Sequence, residues 1–93
     1  MIISALQLSI YAPCNHSLKE KRMEVKSLIA KTQHKFNVSV AEVDAQDCHQ
    51  TIVLGFCCVA CTKMLADHML DAVLHFIEGN TQGEVTVLER ELL

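Results

Sequence analysis

The fold follows from the stretch at residues 2–20, which reads IISALQLSIYAPCNHSLKE. Over residues 2–12, apolar side chains alternate with a mixed set, and this period of two predicts a strand with one apolar face. Pro13 ends the strand, because proline cannot donate a hydrogen bond to a sheet. Residues 17–20 (SLKE) then form a Ser-x-x-Glu capping box, which predicts that a helix begins at Ser17.

The later elements follow from the same two periodicities, period two for strands and a 3.6-residue stripe for helices. Residues 44–47 (DAQD) are turn formers, and Gly79 with Asn80 is expected to end the second helix by C-cap chemistry. The third strand is apolar on both faces, which indicates a central position. The expected elements are a helix from Ser17 to about Lys35, strands 36–43 and 52–60, a helix from Thr62 to about Glu78, and a strand 84–92. The expected core stripe of the second helix is Leu65, Met69, Ala72, Val73 and Phe76.

The order strand, helix, strand, strand, helix, strand predicts one α+β domain over residues 1–93, a ferredoxin-like βαββαβ sandwich. Right-handed crossovers place both helices on one face of a four-stranded antiparallel sheet. The open face would then carry several apolar side chains, more than a wet surface tolerates comfortably. A homodimer through this face is therefore expected. These residues are Ile3, Ala5, Val53, Cys57 and Val59.

The composition argues against several classes of protein. A formal net charge of −3 disfavours general electrostatic binding to nucleic acid, although a local basic patch is compatible with it. No apolar run reaches the roughly 18–20 residues of a membrane span, and residues 1–11 lack the basic start of a signal peptide. Five cysteines are an odd number, which fits reduced thiols better than a disulfide framework. We expect a cytoplasmic protein without a membrane partner.

Four strings of the sequence resemble the YlxP-like family of small bacterial proteins. They are residues 17–22 (SLKEKR), 36–44 (FNVSVAEVD), 46–47 (QD) and 54–55 (LG), in order along nearly the whole chain. The resemblance implies a ferredoxin-like fold and an accessory role in translation, with RNA or the ribosome as partner. The family pattern has ordinary apolar residues where this chain has Cys57, Cys58 and Cys61, so the resemblance implies no shared role for these thiols.

The first helix carries six of the eight Lys and Arg residues of the chain. Lys19, Arg22 and Lys26 form one stripe without acids, and such a stripe can contact phosphates without reading sequence. Lys21 is expected as a secondary phosphate contact on the other flank. The alternative is a solvated helix face that keeps the protein soluble. The acidic bend at Glu42 and its neighbours is expected to serve as a turn and as a partner for the basic helix.

Other sequence features give weaker indications of chemistry. Residues 58–61 (CVAC) lack the second cysteine pair that structural zinc needs, which favours buried free thiols and leaves metal or redox use open. In the loop 13–17 (PCNHS), a capped helix start is favoured over an anion site. Phe56 is expected to point into the core, so it would not stack RNA bases. Without a catalytic string, we expect a non-enzyme with no cofactor, and a protein-interaction module using the open face is the alternative function.

Overall fold

The computed structural model describes residues 1–93, and its six elements follow the expected order. The sheet order is β2-β3-β1-β4, with every neighbouring pair antiparallel. The two helices pack on one face of the sheet and share one core with it, so the ferredoxin-like prediction is confirmed. Neither helix is long and apolar enough to cross a membrane. The elements are β1 (Ile2–Tyr11), α1 (Leu18–Lys35), β2 (Ser39–Asp44), β3 (Thr51–Ala60), α2 (Lys63–Asn80) and β4 (Glu84–Leu92).

The start of α1 has the expected capping box. The Ser17 hydroxyl accepts a hydrogen bond from the backbone N–H of Glu20 at 3.2 Å. The Glu20 carboxylate in turn accepts from the backbone N–H of His16 at 2.8 Å. One free backbone donor of the first turn, at Glu20, and the backbone donor just before the N-cap, at His16, are thereby paired, which fixes the start of α1.

The end of α2 differs from the expectation of a glycine cap. Gly79 lies inside the helix without a positive φ, and Thr81 follows as the C-cap in an extended conformation. The Asn80 side chain donates to the carbonyl of Phe76 at 2.8 Å. A side-chain amide therefore satisfies a terminal carbonyl that a glycine turn was expected to satisfy.

The buried face of α2 overlaps the expected stripe only in part: Val73 is buried and Met69 and Phe76 pack against the core, as expected. Leu65 is 53% exposed and Ala72 is exposed, although both were expected in the core. The helix is apolar over most of its surface, so periodicity alone did not fix which side meets the sheet. Its buried residues are Ala66, Leu70, Val73 and Ile77.

An ion-pair network fastens β4 to α2 at the edge of the sheet. Arg90 Nη1 lies 2.6 Å from Oδ1 of Asp71, and Arg90 Nη2 lies 3.8 Å from Oδ1 of Asp67. Lys63 completes the network at 2.8 Å from Oδ2 of Asp67. The hydrogen bond from Lys63 and the positive charges nearby hold the pKa of Asp67 below its ordinary value of 3.8.

This depressed pKa predicts how Asp67 contributes to the pH dependence of stability. A carboxyl with a lowered folded-state pKa stabilises the fold above its unfolded pKa, and the contribution is lost as pH falls through the folded pKa. We expect Asp67→Asn to flatten the decline in urea-unfolding midpoint below about pH 4. The control is Asp47→Asn, an exposed carboxylate without an ion pair. Equal pH profiles for Asp67→Asn and the unsubstituted protein would contradict the assignment.

Candidate nucleic-acid interface on the first helix

Three cations of the predicted site lie together on the surface of α1. Lys19, Arg22 and Lys26 are all exposed, and successive members are three and four residues apart, so they share one side of the helix. They border a shallow hollow of about 390 Å³ whose other walls include Met23 and Glu42. We call Lys19, Arg22 and Lys26 the basic stripe. Since Glu42 belongs to β2, the stripe lies on the flank of α1 that faces β2.

Lys21 lies in the interior, and the expectation that it contacts phosphate is therefore corrected. Its residue exposure is 0%. The Nζ atom donates to the carbonyl of Ala45 and, at 3.3 Å, to that of Gln46. It also lies 2.9 Å from Oε2 of Glu42, which makes no aligned hydrogen bond, so that contact is ionic. The acidic bend is indeed a partner of the basic helix, but the lysine it pairs with is the buried one.

Helix geometry explains why Lys21 points inward. It precedes Val25 by four residues and Leu28 by seven, which is the spacing of one helix face. Its aliphatic stem runs along this face, and the ammonium lies under the β2–β3 turn, where backbone carbonyls can accept its hydrogen bonds. The sequence contained this signal, because position 21 fits the repeat of the core stripe. The signal was not used because a charged side chain is expected at the surface.

The Lys and Arg residues without an ion pair are confined to α1. Of the eight Lys and Arg residues, only Lys21, Lys63 and Arg90 form ion pairs. Among the other cations of α1, Lys35 lies over Phe76, with Nζ 5.4 Å from the ring centroid. The five cations without an ion pair are Lys19, Arg22, Lys26, Lys31 and Lys35.

The two acids of α1 do not neutralise the basic stripe. Glu20 is engaged in the capping box described above. Glu24 accepts hydrogen bonds from Asn15 at 2.9 Å and from Thr81 at 2.8 Å, which ties α1 to two loops. Asn15 is buried and committed to Glu24, so the loop before α1 is a packed helix start, as favoured from the sequence.

The thiols do not form a metal centre. No group of three or more His, Cys, Asp or Glu residues is placed to hold a metal ion, and all five cysteines are free. Cys58 is buried, and burial, together with the neighbouring Cys57, raises the pKa of its thiol. A raised pKa keeps the thiol protonated and poorly reactive near neutral pH. The expectation of buried thiols is therefore correct for Cys58 only, because Cys57 is half-buried and Cys61 is exposed.

The sheet offers no aromatic platform of the RRM type. Phe56 is 3% exposed and belongs to the core, as expected. Phe36 and Phe76 pack edge to face, with centroids 5.4 Å apart. Tyr11, 50% exposed at the end of β1, is the one exposed aromatic on the central strands, whereas an RRM sheet uses its aromatics to stack two or three bases.

The open face of the sheet has a groove whose charged side was missed from the sequence. Glu89 and Glu91 line a groove of about 370 Å³ together with Ala5, Ala41 and Gly55. The expected apolar face is only partly exposed, because Val59 is 66% exposed whereas Val53 is buried at 6%. The two glutamates are two residues apart on β4, and this spacing was the signal that places them on one face.

Comparison with solved structures defines the class of fold. A de novo designed protein with ferredoxin fold, LFR1 1, superposes with a TM-score of 0.63 at 16% identity, covering 99% of this chain and 85% of that chain. The de novo designed protein Foldit4 superposes with a TM-score of 0.51 at 12% identity, covering 99% and 94%. At these identities the likeness shows the fold alone, a ferredoxin-like sandwich.

Sequence comparison then identifies the family. The chain belongs to the family described as "Protein of unknown function (DUF503)", which it matches over residues 3–90. The uncharacterized protein YlxP of Bacillus subtilis (strain 168) is 36% identical over 75 residues, which are 81% of this chain and 82% of YlxP. The resemblance to YlxP-like proteins seen in the sequence is thereby confirmed.

Proposed function

We propose that this protein is a non-enzymatic accessory factor of translation that binds RNA, in the context of the ribosome, through the basic stripe. The observation that supports this proposal most directly is that every Lys and Arg without an ion pair lies on α1. Free cations on one helix provide the electrostatic footprint of a phosphate-binding surface, even in a chain of net charge −3. Such contacts orient the protein on a backbone without selecting a base.

The dimensions of the basic stripe suit a backbone contact. Lys19 and Lys26 are seven residues apart, so the stripe extends about 10 Å along the helix. Glu42, the one carboxylate bordering the stripe, is 2.9 Å from buried Lys21, so its charge is already paired. The resemblance described for the sequence favours RNA among the polyanions. A cytoplasmic location belongs to the same proposal.

The proposal predicts a strong effect of reversing the stripe. In filter binding to ribosomal RNA, three phosphate contacts are expected to give a slope of log affinity against log salt of about −2 to −3. The variant Lys19→Glu/Arg22→Glu/Lys26→Glu is expected to lose about 100-fold or more in affinity, because three attractions become repulsions. The three side chains are exposed, so the variant should keep its fold, which circular dichroism checks.

The matched control lies on the other flank of the same helix. Lys31→Glu/Lys35→Glu also reverses unpaired cations of α1, but these border a hollow with Phe76 rather than the β2 side. We expect this control to weaken binding by less than about tenfold. No affinity at low salt, or equal losses in the two variants, would reject the basic stripe as the site.

A second candidate function is a protein-interaction module that uses the open face of the sheet. It is favoured by the groove over Gly55 and by the exposed Val59. The homodimer expected from the sequence is one form of this function. Sedimentation equilibrium at micromolar concentration tests the homodimer, and a monomer under those conditions would exclude that form while leaving the open face free for a different partner.

A further inference from the structure

The open face of the sheet carries charge of one sign only. In the register between β1 and β4, Glu84 pairs with Tyr11, Glu89 with Gln7 and Glu91 with Ala5. Paired residues of an antiparallel ladder point to the same side, so the three glutamates join the open face of β1. None of them forms an ion pair. None of the strand residues whose side chains point to this face is a Lys, Arg or His.

The groove on this face has a floor of small residues. Ala5, Ala41 and Gly55 lie on adjacent strands β1, β2 and β3. A Cβ on Gly55 would lie 3.0 Å from Cγ1 of Val43, so Val43 leans over the bare backbone there. The groove therefore runs from Val43 on β2 across to Glu89 and Glu91 on β4. An apolar side chain can fill its floor, and a cation can reach its acidic side.

Charge decides among the possible occupants of this groove. A second copy placed face to face would bring only further carboxylates and no cation, and like charges across an interface cost affinity. A nucleic acid would be repelled in the same way. A cationic partner meets both features, since an aliphatic side chain suits the small floor and its basic neighbours suit the glutamates. A helix about 10–12 Å wide would cover two to three strands spaced about 4.8 Å apart.

We propose that the open face binds a cationic amphipathic helix of a partner protein. A large aliphatic side chain of that helix fills the groove between Val43 and the two glutamates, and the Lys or Arg residues of the helix pair with Glu89 and Glu91. This inference rests on the second candidate function and names the partner's chemistry. Because the basic stripe lies on the helix layer, the protein can hold RNA and a basic protein segment on different faces.

Fluorescence anisotropy with synthetic peptides tests the proposal. The probe is a labelled Leu/Lys amphipathic helix of about 18 residues, long enough to cross the sheet at about 27 Å. Two comparison peptides are the same composition in scrambled order and the same sequence with Glu in place of Lys. We expect the amphipathic basic peptide to bind at least about tenfold more tightly than either comparison peptide, because only it matches both features.

Variants of the protein separate the groove from general electrostatics. Glu89→Lys/Glu91→Lys and, independently, Ala41→Trp are each expected to weaken peptide binding by about tenfold or more. Ala41 is exposed, so the indole should fill the groove without disturbing the core. The charge-matched control Asp47→Lys/Glu78→Lys changes exposed carboxylates outside the face and is expected to bind normally. The triple substitution of the basic stripe should also leave peptide binding unchanged.

Three outcomes would overturn the proposal. The first is equal affinity for the scrambled or acidic peptide, and the second is peptide binding that is unchanged in both groove variants. The third is a dimer by sedimentation that Ala41→Trp dissociates, because a second copy would then be the occupant of this face. RNA binding is read in a separate assay, so its failure and the failure of this proposal are distinguishable.

Discussion

Replacing Lys21 with Met is expected to destabilise the protein by about 3 kcal/mol, near the lower end of the range for a broken buried ion pair. The Lys21 side chain is 1% exposed, whereas the side chain of its partner Glu42 keeps 20% exposure, which moderates the cost of the carboxylate left behind. The substitution also removes the donor to the carbonyls of Ala45 and Gln46. Ala45 has a φ of 55°, a left-handed conformation that this donor helps to hold.

Urea unfolding of Lys21→Met measures this effect, with Lys31→Met as the matched control. Lys31 is an exposed lysine without an ion pair on the same helix, so its replacement should change stability by less than about 0.5 kcal/mol. Lys21→Met/Glu42→Gln should regain part of the loss, because no buried charge remains uncompensated. Equal unfolding midpoints for Lys21→Met and Lys31→Met would show that the buried pair does not support the fold.

Replacing Gly83 with Ala is expected to cost about 2–3 kcal/mol, because a side chain has no room at that position. A Cβ there would lie 2.6 Å from Cγ2 of Ile10 and 2.8 Å from the carbonyl oxygen of Tyr11. Ile10 belongs to the core and the Tyr11 oxygen is backbone, so β1 or the start of β4 would have to shift. The reason for the glycine is therefore the close approach of the bend before β4 to the end of β1.

Gly79 provides the control for this substitution. A Cβ at Gly79 would meet nothing within 4 Å, and the residue is helical. Gly79→Ala should therefore stabilise the protein by up to about 0.5–1 kcal/mol. Thermal unfolding of the two variants should give shifts of opposite sign. Shifts of the same sign would contradict either the steric crowding at Gly83 or the effect of helix propensity at Gly79.

The first helix shows which residues of the candidate site can be predicted from sequence patterns. The cations of the basic stripe were found from spacing alone, because helical geometry fixes which residues share a side. Lys21 is also a cation, yet it is buried whereas the cations of the basic stripe are exposed. Burial of that lysine is possible only because α1 packs against the β2–β3 turn. This packing brings the carbonyls of Ala45 and Gln46 and the carboxylate of Glu42 within reach of the ammonium.

The second helix shows a limit of periodicity as an indicator of burial. Leu65 and Ile77 are both apolar, and α2 offers more apolar residues than its contact with the sheet can cover. The crossing of α2 over β1 and β3 selects Ile77 and leaves Leu65 53% exposed. The end of α2 was also not predictable from local pattern. The Asn80 amide satisfies the carbonyl of Phe76, so glycine is not needed as a cap.

The sequence by itself determined the order and types of the elements, the capping box, the strand faces and hence the ferredoxin-like fold. These features depend on neighbours a few residues apart, and local geometry fixes such relations. The tertiary structure alone decided that the Lys21 ammonium finds acceptors in the interior and that Gly83 admits no side chain. It also placed Glu89 and Glu91 beside the small residues of a groove. Each of these facts depends on residues distant in sequence, and only the packed chain brings them together.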